Sequence, residues 1–232
     1  MAKNPRPGQV KSKLEPCLGI KQAAMLARAF LLDAIATAVR VPDSRTVIAY
    51  RPPESHSDLE DILYLFRNEE EDEKVARRAG KIELMAQSGN DAGERIGNLA
   101  ECLFSRGAKR IIFVCSDNPL MEPMILKISL ELLKRHQVVI GPTFDGAYYL
   151  LGFSDGCPPL FREIDWNASN LYRRMVGELD ARGVNWQELE LSYDIDRPEE
   201  LRQLYFDIDN LRLAGKDRIC CHTEKCLANL RI

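Results

Sequence analysis

Apolar residues recur at helical spacing from Ile20 to Val39, and Pro42 lies just beyond them, so the pattern predicts a long helix laid over a sheet. Strand-like runs follow at residues 45–50, 81–86, 110–114 and 137–141, separated by helical periods over 57–66, 91–107 and 122–136. The charge run at 67–80 reads as a solvated loop or helix face. Alternation of this kind argues for a three-layer α/β/α fold with a mainly parallel central sheet. In the second half the pattern loosens. Residues 147–153 form a strand after the turn "FDG", which predicts one antiparallel edge element. Helices are expected over 167–183, with Asn167 as N-cap, and from Pro198 to Gly215, with a short terminal helix starting at Thr223.

Length and composition then narrow the class. A chain of 232 residues with 45% hydrophobic positions can bury one sizeable core, and a single domain spanning 1–232 is expected. The formal charge of −3 gives no overall attraction to a polyanion, which argues against a nucleic-acid partner. No apolar run reads as a membrane span, so neither a membrane partner nor a leader is expected and the location reads as cytoplasmic. Seven cysteines fit reduced thiols better than a disulfide framework. The oligomeric state is not legible.

Four stretches at predicted strand ends concentrate chemistry. Residues 2–14, "AKNPRPGQVKSKL", combine Lys3, Arg6, Lys11 and Lys13 with Gly8, a composition suited to phosphate but equally to a basic terminus. "VCSDNP" ends an apolar strand in Asp117, beside Asn118, at the carboxyl edge where open α/β sheets bind ligands. The same acid also suits a plain turn or N-cap. Asp145, followed by Gly146, is a turn signal next to two tyrosines. In "YDIDRPEEL", Asp194 and Asp196 alternate and share a face if extended, where a hard divalent cation would relieve their repulsion. Asp196 reads equally as the cap of the helix opening at Pro198. The C-terminal "CCHTEKC" offers Cys220, Cys221, His222 and Cys226 but no second knuckle, so packing is the simpler reading, with Thr223 capping the last helix.

Taken together, these motifs resemble the DUF2064 group of the nucleotide-diphospho-sugar transferase superfamily, whose fold is the Rossmann-like GT-A fold. The resemblance runs nearly end to end. "AKNPRPGQVKSKL" is similar to AKxPxPGxVKTRL, "QSGNDAGERI" to QxGxDLGERM and "CSDNP" to GxDxP; "GPTFDGAYYLLGF" is similar to GPAxDGGYYLIGL and "YDIDRPEEL" to DxDTPEDL. It implies a Mg2+- or Mn2+-dependent transferase with a nucleotide or nucleotide-sugar donor and a small-molecule acceptor. The group is associated with arsenosugar-type glycosyl transfer and is similar to nucleotidyltransferases such as phospholactate guanylyltransferase. By that resemblance Lys3, Gly8, Lys11, Lys13, Arg95 and Asn118 would serve the nucleotide, Asp117 and Asp196 the metal, and Asp117 and Asp145 the catalytic step.

The departures are specific. Lys13 replaces an arginine, keeping the charge but losing the planar fork, at a cost of about 1.5–3 kcal/mol if one charged bond is lost. Cys115, Ala147 and Arg197 replace a glycine, a glycine and a threonine, which keeps a catalytically silent nucleotide-binding module as an alternative. A phosphohydrolase with an aspartyl nucleophile in "DIDRP" fits poorly, because residues 188–193 are too polar for the strand it needs. The family's first strand precedes AKxP, whereas Met1 stands two residues before Lys3, so the first strand is expected to be missing or truncated. Three lost core side chains at about 1.5–3 kcal/mol each would rival a domain's total stability of about 5–15 kcal/mol. The natural start is therefore expected upstream.

Overall fold

The structure is a computed structural model that describes residues 1–230. In chain order the elements are β1 (Ala2–Lys3), α1 (Glu15–Leu18), α2 (Ile20–Val39), β2 (Val47–Arg51), α3 (His56–Glu69), α4 (Glu73–Ala79), β3 (Glu83–Ala86), α5 (Ala92–Ser105) and β4 (Arg110–Val114). They continue with α6 (Pro123–Leu132), β5 (Val138–Pro142), β6 (Tyr148–Ser154), α7 (Leu160–Glu163), α8 (Leu171–Ala181), β7 (Trp186–Glu188), α9 (Pro198–Leu213) and α10 (Cys221–Asn229). This is the mixed α/β fold that the alternation predicts. The chain divides into two compact units: Met1–Ala86 with Ser116–Pro123 and Asp194–Ile232, and Gln87–Cys115 with Met124–Tyr193.

The first unit holds a parallel sheet in the order β1-β2-β3. Parallel neighbours need long crossovers, and helices supply them here. The core packs Leu31 and Ile35 of α2 against Ile48 and Tyr50 of β2 and Leu59 and Phe66 of α3. Although its residues were read as a solvated charge run in part, α4 buries Val75 and Ala79 in the same cluster, and its N-cap Asp72 accepts from the amides of Lys74 and Val75. The expected absence of any membrane-length apolar helix needs correcting. By length and composition α2 passes that test, because alanines dilute its charges, and 61% of its apolar window is buried as core. β1, read as missing or truncated, is two residues pairing with Tyr50 and Arg51.

In the second unit the sheet runs β4-β6-β5-β7. β5 and β6 form an antiparallel hairpin, β4 pairs antiparallel on the far side of β6, and β7 lies parallel to β5. The antiparallel element is thus interior and not at an edge. Its own residues explain this, since Tyr149 to Phe153 are all buried and an apolar run of that kind needs neighbours on both sides. Phe153 packs on Phe161 of α7 with ring centroids 4.8 Å apart. α8 starts at Leu171 with Asn170 as N-cap, not Asn167, whose amide instead closes a turn onto Asp165.

Candidate functional site

All the charged members of the strongest cluster belong to the first unit. Residues 4–14 form a loop between β1 and α1 pinned by buried Val10 and Leu14, with Pro7, Gly8, Gln9, Ser12 and Lys13 exposed between the pins. Gly8 has φ +75°, the left-handed region, and a Cβ there would meet nothing closer than Ile20 at 3.9 Å. Glycine is needed for the turn and not for room. Lys11 also sits in the left-handed region, at φ 52°.

From this loop Lys11 reaches into the unit. Its Nζ donates to Asp117 Oδ1 at 2.6 Å and to Asp196 Oδ1 at 3.0 Å, and lies 5.4 Å from the ring centre of the buried Phe30. The lysine side chain is 4% exposed, while each carboxylate is 43% exposed. Burial alone would lower the Lys11 pKa; the Asp117 and Asp196 carboxylates outweigh it and hold the ammonium above its ordinary value. Burial likewise pushes Asp196 up, but Lys11 and then Lys13 override it and hold its carboxyl below the usual range. Lys13 Nζ stands 3.5 Å from Asp196 Oδ2 and is mostly exposed, so this second contact is weak.

Local backbone bonds set the two acids. Ile195 N donates to Asp117 O at 2.9 Å, joining the two acid-bearing loops directly. Thr37 Oγ1 of α2 donates to Met121 O at 3.0 Å and steadies the 116–123 loop. Asp196 does not cap α9. Glu200, three residues into the helix start, turns back and accepts from the amides of Asp196 and Arg197, both at 2.7 Å, leaving the Asp196 carboxylate to the lysines. Nor does Asp117 cap a helix, since α6 opens only at Pro123.

Asn118, Lys3 and Arg6 belong to the same unit as the cluster. Asn118 is buried beside Asp117, and Lys3 is exposed on β1. Arg6 ties the loop to α3: its Nε donates at 2.7 Å to Asp58 Oδ2, which also accepts from Asn4 Nδ2 at 2.6 Å. These bonds, Arg6 first, hold Asp58 below the ordinary carboxylate value. Arg95 and Asp145 belong to the second unit. Arg95 turns its guanidinium onto the carbonyls of Gly89 and Asn90 at 3.5 and 3.3 Å. Asp145 serves its own turn, accepting from Thr143 Oγ1 at 2.6 Å and Ala147 N at 3.2 Å.

The residues that sequence reasoning missed are Phe30, which floors the lysine, and Glu200. The residue three before Glu200 is Arg197 and not the Ser, Thr or Asp of a capping box, so spacing does not signal it, and nothing distinguishes Phe30 from other core positions. At the C-terminus α10 begins at Cys221 and not at Thr223, and its free amides are satisfied from outside. Asp33 of α2 accepts from His222 N at 2.9 Å and Thr223 N at 2.8 Å, while the His222 ring packs on Phe66.

Chemically, two carboxylates meeting at one ammonium converge on one cation-sized point, and hard oxygen donors of this number suit Mg2+ or Mn2+ that also takes phosphate oxygens. Among the described residues no three His, Cys, Asp or Glu side chains gather to hold a metal ion, so the phosphates would have to complete the coordination.

Comparison with known proteins agrees with the architecture. The family model described as "Uncharacterized protein conserved in bacteria (DUF2064)" matches residues 35–168, a span that takes in Arg95, Asp117, Asn118 and Asp145. A protein from Desulfovibrio desulfuricans G20, provisionally named a nucleotide-diphospho-sugar transferase, is 29% identical with a TM-score of 0.71, over 84% of this chain and 80% of that one. CMP:2-keto-3-deoxy-manno-octonic acid synthetase, solved with CTP, has a TM-score of 0.52 at 11% identity, over 78% of this chain and 88% of that one. The 4-diphosphocytidyl-2C-methyl-D-erythritol synthase of Anaerococcus prevotii DSM 20548 has a TM-score of 0.53 at 13% identity, over 78% and 86%. The last two are likenesses of fold alone. No curated protein matches the sequence.

Proposed function

Because the chain belongs to the DUF2064 family, we propose that it is a transferase acting on a nucleotide-activated donor, with a glycosyl unit as the group moved. The observation that carries this reading is the meeting of Lys11 with both Asp117 and Asp196, residues from three segments far apart in the chain. In this reading the exposed loop around Gly8 and Lys13 receives the donor's diphosphate, and Lys11 lies beneath it. Asp117 and Asp196 would hold Mg2+ or Mn2+, which supplies positive charge to the departing diphosphate. This chain's own task is to bind and orient the phosphates and to offset their charge, and no side chain of the cluster needs to act as a nucleophile. Seven free thiols and a charge of −3 accord with a cytoplasmic enzyme of small molecules.

Thermal unfolding against a panel of nucleotides and nucleotide sugars, with and without Mg2+, tests the proposal. A ligand at about a hundred times its Kd stabilises by roughly 2.7 kcal/mol, a shift of a few degrees. The expected result is a metal-dependent shift lost in Asp117→Asn, followed by release of a nucleoside diphosphate in the presence of acceptor. Release of pyrophosphate would reassign the reaction to nucleotidyl transfer. A shift without turnover would leave a binding module, and no shift with any nucleotide would overturn the reading.

A further inference from the structure

The cluster is already electrically complete without a metal. Two lysines face two aspartates, and the buried one of them lies where both carboxylates point. A divalent ion binds carboxylate oxygens at about 2.0–2.1 Å for Mg2+. An ammonium 2.6 and 3.0 Å from the same two oxygens therefore occupies the space such an ion needs. Resting on the transferase reading, we infer that Lys11 is the resident cation of the Asp117–Asp196 pair, and that a divalent ion enters only with the diphosphate it chelates.

Three features support the exchange. The ammonium is buried against Phe30, so leaving the carboxylates without a new anion would strand a charge in an apolar setting. A diphosphate provides that anion. Lys11 is also held in the left-handed region, a conformation that costs a non-glycine residue about 1 kcal/mol or more, so the resting state carries backbone strain that a move can release. Finally, Gly8, Gln9, Ser12 and Lys13 around it are exposed, so the loop can reshape between its buried pins Val10 and Leu14. Metal and diphosphate are then linked, and each must raise the affinity of the other by the same factor.

Isothermal titration with Mn2+ alone, with pyrophosphate alone and with preformed Mn2+–pyrophosphate tests this on the full chain. Pyrophosphate is used because it carries no base or sugar. The wild-type protein is expected to bind the chelate at least tenfold more tightly than Mn2+ alone. Lys11→Met, which leaves the two carboxylates facing only the exposed Lys13, should gain at least tenfold in affinity for Mn2+ alone, and the added substitution Asp117→Asn should remove that gain. Lys11→Gln serves if the methionine variant does not fold. Wild-type protein that takes Mn2+ alone as tightly as the chelate would overturn the inference while leaving the transferase proposal standing. So would a Lys11 variant with no gain. Failure to bind Mn2+, pyrophosphate or chelate would overturn both.

Discussion

Lys11 Nζ stands 3.0 Å from Asp196 Oδ1, and the two residues are 185 positions apart in the chain. An ion pair closed over such a distance in sequence depends on the fold of the whole first unit, and in turn constrains it. Because the lysine is buried and its partners are half-exposed, the cost of disrupting it depends on which side is removed.

Removing both acids is expected to cost far more than removing either. Asp117→Asn or Asp196→Asn alone leaves Lys11 one carboxylate and should cost about 1–2 kcal/mol. The double variant strands a buried ammonium and should cost about 3–5 kcal/mol, more than the two singles combined. Urea unfolding of the four proteins measures this, and a double variant no worse than the worse single would refute it.

Two glycines should respond differently to the same change. Gly8→Ala meets open space and pays mainly for its φ of +75°, about 1–2 kcal/mol. Gly89→Ala combines φ +133° with a Cβ placed 2.7 Å from Glu94 Cβ and 2.8 Å from Arg95 N, so about 3 kcal/mol or more is expected. Calorimetric melting of both variants compares them directly.

Glu200 holds the amides of Asp196 and Arg197 through one oxygen. Glu200→Ala is expected to lose about 1 kcal/mol of stability. It should also weaken nucleotide binding, because the backbone of Asp196 loses the bond that fixes it. Ligand titration beside thermal unfolding separates the two effects.

Asp33 sets a pH dependence of its own. Burial raises its pKa from the ordinary 3.8 to about 6, against hydrogen bonds from Thr223 and His222 that pull it down. A folded-state value above the unfolded one means that its contribution is full below about pH 4 and is lost as the pH rises through about 6. At about 1.4 kcal/mol per pH unit, the loss is of order 3 kcal/mol. Asp33→Asn should flatten the stability profile between pH 4 and 7 in urea titrations. Asp196 runs the other way, its depressed pKa keeping its contribution above 3.8 and losing it only in stronger acid, while the raised Lys11 contributes fully below 10.5 and loses its share only at higher pH.

Much of this fold is written in local pattern. Residues 20–39 carry an uninterrupted helical period and fold as that helix, and the apolar runs at 110–114 and 137–141 become β4 and β5. β7 escapes notice because Trp186 to Glu188 is three residues with no alternation, and it exists only through pairing with β5. The placing of β6 inside its sheet is likewise a tertiary outcome. At the site, spacing alone leaves Asp117 and Asp196 as turn or cap residues. What brings them together is non-local: Glu200 takes over the capping at α9, and Lys11 arrives from a distant segment of the chain. The turn signal at Asp145 is realised as a turn.

The single amide bond from Ile195 to Asp117 O makes the gap between the two acids a property of the main chain. Side chains at 117 and 196 then project from backbone positions fixed relative to each other. Under the proposed metal reading, histidine or cysteine at either position would turn the pair toward softer ions, with the spacing of the two loops still set by the backbone.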